Sequence, residues 1–196
     1  MRNKILLIVV ICSFLPLAGR TQINWVLNPS FEQYSQCQTR INNIKYADYW
    51  TPIVDTFFSA TDTLGPGKCT SEFCNTCIPY YSTSSIPLSI YYNHYPRTGN
   101  GMARSITYVV NEYDTLYSAR DYLQGRLKNR LTNGNRYSVF FYISFQQTSA
   151  YAHNNMGAYL DDGTIDTTTQ CGLPQTMYHP QINDTTIYTD TLHWKK

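Results

Sequence analysis

The sequence predicts an all-β protein. Tyrosine is abundant, with 18 copies in 196 residues, and threonine and serine are frequent, whereas the helix formers glutamate and alanine are scarce. Aromatic and β-branched side chains suit the half-buried surface of a sheet. Apolar runs of strand length alternate with turn residues along the second half of the chain, and only residues 118–123 favour a helical turn. No repeat or linker divides residues 22–196, which indicates one domain.

The first 21 residues have the pattern of a secretory signal peptide. Arg2 and Lys4 precede the apolar run 5–17, and small residues follow it. The run is too short to span a bilayer, and no stop-transfer pattern comes after it. We therefore expect a soluble exported protein in the periplasm, at the cell surface or outside the cell, without membrane insertion.

The sequence pattern typical of strands is weak up to residue 98 and strong from residue 101 onwards. A short strand is expected at 23–27, ended by Pro29, and residues 55–98 are loop-like. Further strands are expected at 101–110, 122–127, 137–145, 155–160 and from 187 to 194, with turns at 131–135 and 161–163. The continuous apolar run 137–145 predicts a central strand buried on both faces. The last strand begins without a turn after it, and we expect a β-sandwich that lacks its C-terminal strand or strands.

Charge and motifs exclude several functions. The net charge is only +2, and no run of basic residues suggests nucleic acid or an anionic membrane as partner. The sequence contains no nucleophile elbow, zinc-protease motif or phosphate-binding loop. Since glutamate is scarce, a glycosidase with paired carboxylates is disfavoured. We expect a protein that is not an enzyme and needs no cofactor.

The cysteines of the exported chain predict disulfides. Cys37, Cys69, Cys74, Cys77 and Cys171 remain after export, and three of them crowd one segment. An oxidising compartment favours disulfides over a zinc site built on the cluster. We expect Cys37 to join one of Cys69, Cys74 and Cys77, the other two to join each other, and Cys171 to stay unpaired. The sequence leaves the connectivity open.

Five segments together resemble a family of exported proteins from gliding bacteria and their relatives. They are 25–37 (WVLNPSFEQYSQC), 47–52 (ADYWTP), 96–103 (PRTGNGMA), 120–144, which begins RDYLQ, and 151–159 (YAHNNMGAY). The resemblance implies a jelly-roll β-sandwich similar to carbohydrate-binding modules and galactose-binding-like domains. Such domains often precede a type IX secretion sorting tail or a peptidoglycan-binding domain, which makes a downstream domain of either kind a possible partner in a longer product.

The resemblance also suggests a calcium site. In related carbohydrate-binding jelly rolls, a glutamate in a segment like Asn28–Glu32 helps to hold structural calcium, which requires several hard oxygen ligands. Asn28 and Glu32 are therefore the metal candidates. In the alternative interpretation, Asn28 and Pro29 form a turn and Glu32 either caps backbone groups or is solvated.

A glycan-binding surface is the preferred functional hypothesis. Sugars stack their apolar faces on aromatic rings, and their hydroxyls bond to amides and charged groups. The candidates combine such side chains within loops: Tyr151, Asn154, Asn155, Tyr95 and Arg97. Trp50 and Trp194 also lie near loops, but they are better interpreted as core residues. The rival hypotheses are a structural spacer in a larger surface protein and a degenerate extracellular hydrolase.

Asp–Thr pairs recur along the chain. Five of them resemble the three-residue O-glycosylation signal of the same bacteria, with acceptors at Thr63, Thr115, Thr167, Thr185 and Thr191. The alternative is that these pairs form turns, which Asp and Thr favour. The sequence leaves both interpretations open.

Overall fold

A computed structural model describes residues 22–37, 44–53, 71–79, 84–87, 94–105, 107, 121–147, 149, 151–165 and 178–196. This part of the chain is all-β, as predicted. It contains one 3-10 helix, η1 (Ile44–Tyr46), and six short strands: β1 (Trp50–Pro52), β2 (Glu72–Asn75), β3 (Gly101–Arg104), β4 (Leu123–Gly125), β5 (Met156–Ala158) and β6 (Ile182–Asp184). Among these described residues, no helix is long and apolar enough to cross a membrane.

The strands form three antiparallel pairs, β1 with β4, β2 with β3 and β5 with β6. Isolated bridges extend this pairing, because Val26 pairs with Leu127, Ile143 with Lys195 and His153 with Tyr188. The N-terminal residues therefore lie beside the end of β4, and the C-terminal residues run along the segment that precedes β5.

The core is centred on β2. Phe73 and Cys74 are fully buried, and each belongs to a different apolar cluster. The first cluster joins Cys74 to Ile86 and Met102, with Trp194 packed against it. The second joins Phe73 to Ile44 and Ala47, with half-buried rings around it: Phe31, Tyr46 and Trp50. Trp50 and Trp194 thus pack against the core, as the sequence predicted.

The pairing of β2 with β3 carries a partly buried ion pair. Glu72 lies directly opposite Arg104 in the register, and its Oε2 is 2.5 Å from Arg104 Nη2. The hydroxyl of Ser84 donates to the same carboxylate oxygen at 2.8 Å. Because its charge is both paired and hydrogen-bonded, Glu72 can occupy a mostly buried strand position.

Several expectations for the fold are wrong. No strand forms over 23–27, 137–145 or 187–194, where the sequence predicts strands; these stretches contain only isolated bridges, at Val26, Ile143 and Tyr188. β2 lies inside the stretch 55–98 that was expected to be loop-like, although it is the most buried strand described. Segment 137–145 is not buried on both faces, since Phe140 is 52 % and Tyr142 37 % exposed while alternate residues are half-buried. The exposed rings instead carry cations, with Arg97 3.6 Å above the ring of Tyr142 and Lys196 3.8 Å above that of Phe140.

The predicted link from Cys37 to the cysteine cluster is confirmed. Cys37 is bonded to Cys77, and their Cα atoms lie 5.9 Å apart, within the range for a disulfide. Cys74 is buried in β2, whereas Cys69 and Cys171 lie outside the described residues, so the second predicted pair stays a prediction. The signal peptide at 1–21 also lies outside them.

Candidate functional site

Two of the sequence segments, 25–37 and 47–52, meet at Asn28. Its side-chain Nδ2 donates to the carbonyls of Gln33 and Asp48, at 2.8 and 3.0 Å, and its Oδ1 accepts the Gln33 N–H at 3.0 Å. Its backbone carbonyl accepts the Trp50 Nε1–H at 2.9 Å and the Phe31 N–H at 3.2 Å. Asn28 has φ +48°, a left-handed conformation that asparagine tolerates better than most residues. This residue therefore closes a turn and holds the N-terminal segment against β1.

Glu32 connects the same turn to the start of β3. Its Oε1 accepts the N–H groups of Asn100 and Gly101 at 2.8 and 3.0 Å. A Cβ at Gly101 would overlap the carbonyl of Phe31, so only glycine permits this close approach. The geometry of Asn28 and Glu32 matches the interpretation of a turn and a cap. Binding of calcium by these two residues stays a prediction, and the described residues contain no group of three His, Cys, Asp or Glu side chains placed to hold a metal.

The predicted glycan residues fall into two groups. Tyr95 and Arg97 lie beside the C-terminal residues, because the Trp194 Nε1–H donates to the Tyr95 carbonyl at 3.1 Å and Arg97 stacks on Tyr142. Tyr151, Asn154 and Asn155 lie beside the β5–β6 pair instead. The two groups therefore lie beside different elements of the described structure and form two candidate surfaces.

An amide ladder defines the second surface. Asn183 Nδ2 donates to Asn155 Oδ1 at 3.1 Å, and Asn155 Nδ2 donates to Asn154 Oδ1 at 3.1 Å. All three asparagines are exposed, and Tyr151, which precedes Asn154 in the same segment, is 55 % exposed. Asn155 has φ +54°, which interrupts the alternation of the strand just before β5. The ladder presents the side-chain amides in a row. Each amide has more acceptor and donor capacity than the ladder uses, and the remainder is open to a polar ligand.

Sequence reasoning missed Asn183 and the residues around it. Asn183 lies in β6, 28 positions after its partner Asn155, and only the register of β5 with β6 brings them together. The rings of Tyr159 and Tyr178 lie 5.3 Å apart at the other end of β5. No local pattern signals these contacts, because each one joins segments that are distant in sequence.

A groove of about 420 Å³ runs along the C-terminal residues and was also not predicted. It contains two carboxylates, Asp184 and Asp190. Hydrogen bonds from Thr186 and Tyr188 lower the pKa of Asp184. The ammonium of Lys195, together with the N–H groups of Leu192 and His193, lowers the pKa of Asp190. Both carboxyls are thus held ionised, which is the opposite of what a general acid at neutral pH requires.

The Asp–Thr pairs that the structure describes form turns. The Asp184 carboxylate accepts the Thr186 N–H at 2.8 Å, and that of Asp190 accepts the N–H groups of Leu192 and His193 at 2.9 Å. The predicted acceptor Thr185 is exposed and Thr191 is half-buried. Thr63, Thr115 and Thr167 lie outside the described residues, and O-glycosylation stays a prediction at all five positions.

Comparisons with protein-family models, with curated proteins and with solved structures find no match to this chain.

Proposed function

We propose that this protein is an exported, non-catalytic β-sandwich module of the jelly-roll type that binds glycans. The observation that carries the proposal is the exposed amide ladder Asn154–Asn155–Asn183, together with the exposed Tyr151 that precedes Asn154 in the same segment. A fixed row of amides can exchange paired hydrogen bonds with adjacent sugar hydroxyls, and a tyrosine ring offers a stacking platform. The resemblance to carbohydrate-binding modules supports the same function.

The geometry favours weak binding. The ladder lies on an exposed surface rather than in an enclosed pocket, so a bound sugar would keep much of its hydration. We expect dissociation constants between about 1 µM and about 1 mM, which correspond to about −8 to −4 kcal/mol. Several copies or a repetitive polymer would raise the apparent affinity through avidity.

The absence of catalysis is part of the proposal. The two carboxylates of the C-terminal groove are both stabilised in the ionised form. A glycosidase needs one carboxyl with a raised pKa as general acid and a second as base or nucleophile. The ionised pair therefore supports a binding module over the degenerate hydrolase.

A glycan array tests the proposed function. The purified protein should bind a restricted set of glycans, and Tyr151→Ala and Asn183→Ala should each weaken that binding. Tyr49→Ala is the matched control, because Tyr49 is similarly exposed, at 48 %, but lies immediately before β1. Binding that is unchanged in both test variants, or no binding at all, would favour the spacer. Release of reducing sugar from a bound glycan would revive the hydrolase.

A further inference from the structure

Another exposed surface, separate from the amide ladder, is rich in positive charge. Arg126, Lys128, Arg130 and Arg136, here called the cationic cluster, are all exposed. No acidic residue occurs in the sequence between Asp121 and Asp161, so this stretch is strongly basic although the whole chain carries a net charge of only +2. Apolar and polar residues separate the four cations, and for this reason they do not form a basic run.

Strand pairing places two of the cations on one face. Leu127 pairs with Val26, the Leu27 N–H donates to the Arg126 carbonyl at 3.0 Å, and the Lys128 N–H donates to the Trp25 carbonyl at 2.7 Å. Arg126 and Lys128 flank the paired residue, so their side chains project from the same face, about 7 Å apart. Trp25 lies directly opposite Lys128 and shares that face.

A turn at residues 132–135 leads the chain back towards Trp25. The Asn135 N–H donates to the Thr132 carbonyl at 3.3 Å, and Gly134 has φ +82°, which closes the turn. The ring of Tyr137 then lies edge-on to Trp25, with centroids 5.8 Å apart. Since the Trp25 carbonyl accepts the Lys128 N–H, this contact brings the backbone around Tyr137, including that of Arg136, back towards Trp25.

None of the four cations forms an ion pair among the described residues, although Arg130 has Asp162 in its neighbourhood. Among the described residues, the cations in ion pairs with carboxylates are Arg104 with Glu72, and His193 and Lys195 with Asp190, and none belongs to the cationic cluster. Asp162 is the carboxylate on which the cluster acts. Hydrogen bonds from Thr164 lower the pKa of Asp162, and the charge of Arg130 lowers it further by a smaller amount. Cations gathered without carboxylate partners repel one another, and an anionic ligand relieves that repulsion.

We propose that the cationic cluster binds an anionic polysaccharide, with the Trp25–Tyr137 ring pair as a stacking surface beside it. Carboxylate or sulfate groups would pair with the guanidinium and ammonium groups, while a sugar face packs on the exposed part of the rings. This site lies on a different pair of segments from the amide ladder, and it does not require the ladder to bind.

Affinity chromatography and titration with two polyanions test this inference. The protein should bind dextran sulfate and polygalacturonate but not neutral dextran, and the binding should weaken as salt rises, because charges are screened beyond about 10 Å at 0.1 M. The variant R126Q/K128Q/R136Q should bind about tenfold more weakly. The variant K45Q/K195Q/K196Q removes the same charge elsewhere and should change the affinity less than about twofold.

The outcomes separate the possibilities. Equal loss in both triple variants would show a nonspecific charge effect and overturn the site. Tighter binding of duplex DNA than of either polyanion would overturn the ligand class in favour of nucleic acid. The variant R126K/R136K keeps the charge and should retain binding, which guards against a triple variant that fails to fold. Loss of polyanion binding with unchanged array binding would also show that the two sites are independent.

Discussion

Replacing Asn28 with alanine should be among the most damaging single changes in the described part of the chain. The side chain of Asn28 is 7 % exposed and makes three hydrogen bonds to the backbone of Gln33 and Asp48. Alanine would leave one buried N–H and two carbonyls without these partners. It would also have to adopt the left-handed conformation with φ +48°, which asparagine tolerates.

The magnitude follows from these two terms. Each lost hydrogen bond contributes about 1 kcal/mol, so the three together contribute about 3 kcal/mol. The left-handed backbone adds about 1 kcal/mol for alanine. We therefore expect Asn28→Ala to lower the free energy of unfolding by about 4 kcal/mol. Asn28→Gly, which keeps the backbone unstrained, should lower it by about 3 kcal/mol.

Equilibrium unfolding in urea measures both values. Tryptophan fluorescence is a suitable signal, because the Trp50 indole donates to the Asn28 carbonyl, and circular dichroism gives an independent one. Asn133→Ala, in an exposed turn, is the control and should change stability by less than about 0.5 kcal/mol. A loss below about 1 kcal/mol in Asn28→Ala, or a larger loss in Asn28→Gly, would refute the reasoning.

Three further perturbations probe other parts of the structure. Replacing Cys37 and Cys77 with serine opens a crosslink between residues 40 positions apart and should cost about 4 kcal/mol in thermal or denaturant unfolding; an unchanged melting temperature would show that this disulfide does not stabilise the fold. Asp190 has a lowered pKa in the folded protein, so it stabilises the protein at neutral pH, and that stabilisation should be lost as pH falls below about 4. Asp190→Asn should therefore be less acid-sensitive than the wild type in urea titrations at pH 7 and pH 3, and equal sensitivity would contradict this. Glu32 Oε1 already accepts two N–H groups, so the melting temperature should be the same in calcium as in EDTA. A higher melting temperature in calcium that Glu32→Gln abolishes would establish a calcium site.

The sequence predicted features that local chemistry determines. Asn133 and Gly134 lie in the expected turn, and β3, β4 and β5 lie within expected strands. The link from Cys37 to the cysteine cluster also formed as expected. In each case, the residue types at adjacent positions, or the expected pairing of clustered cysteines, were sufficient.

Features that depend on distant contacts were missed. The four residues of β2, Glu-Phe-Cys-Asn, show no strand pattern, and they are buried because β3 and two apolar clusters surround them. The run 137–145 was expected to be buried on both faces because apolarity alone does not tell a covered ring from one that carries a cation. The amide ladder depends on the register of β5 with β6, which no single segment encodes.

The most direct test of glycan binding at the amide ladder is nuclear magnetic resonance with ¹⁵N-labelled protein. Neutral hexose and N-acetylhexosamine oligosaccharides are titrated while the side-chain amide signals of the asparagines are followed. We expect the signals of Asn154, Asn155 and Asn183 to shift together with one saturation curve, whereas the signal of Asn28, held within the turn, stays in place. Shifts confined to other residues, or no shift with a glycan that the array shows to bind, would contradict the proposed site.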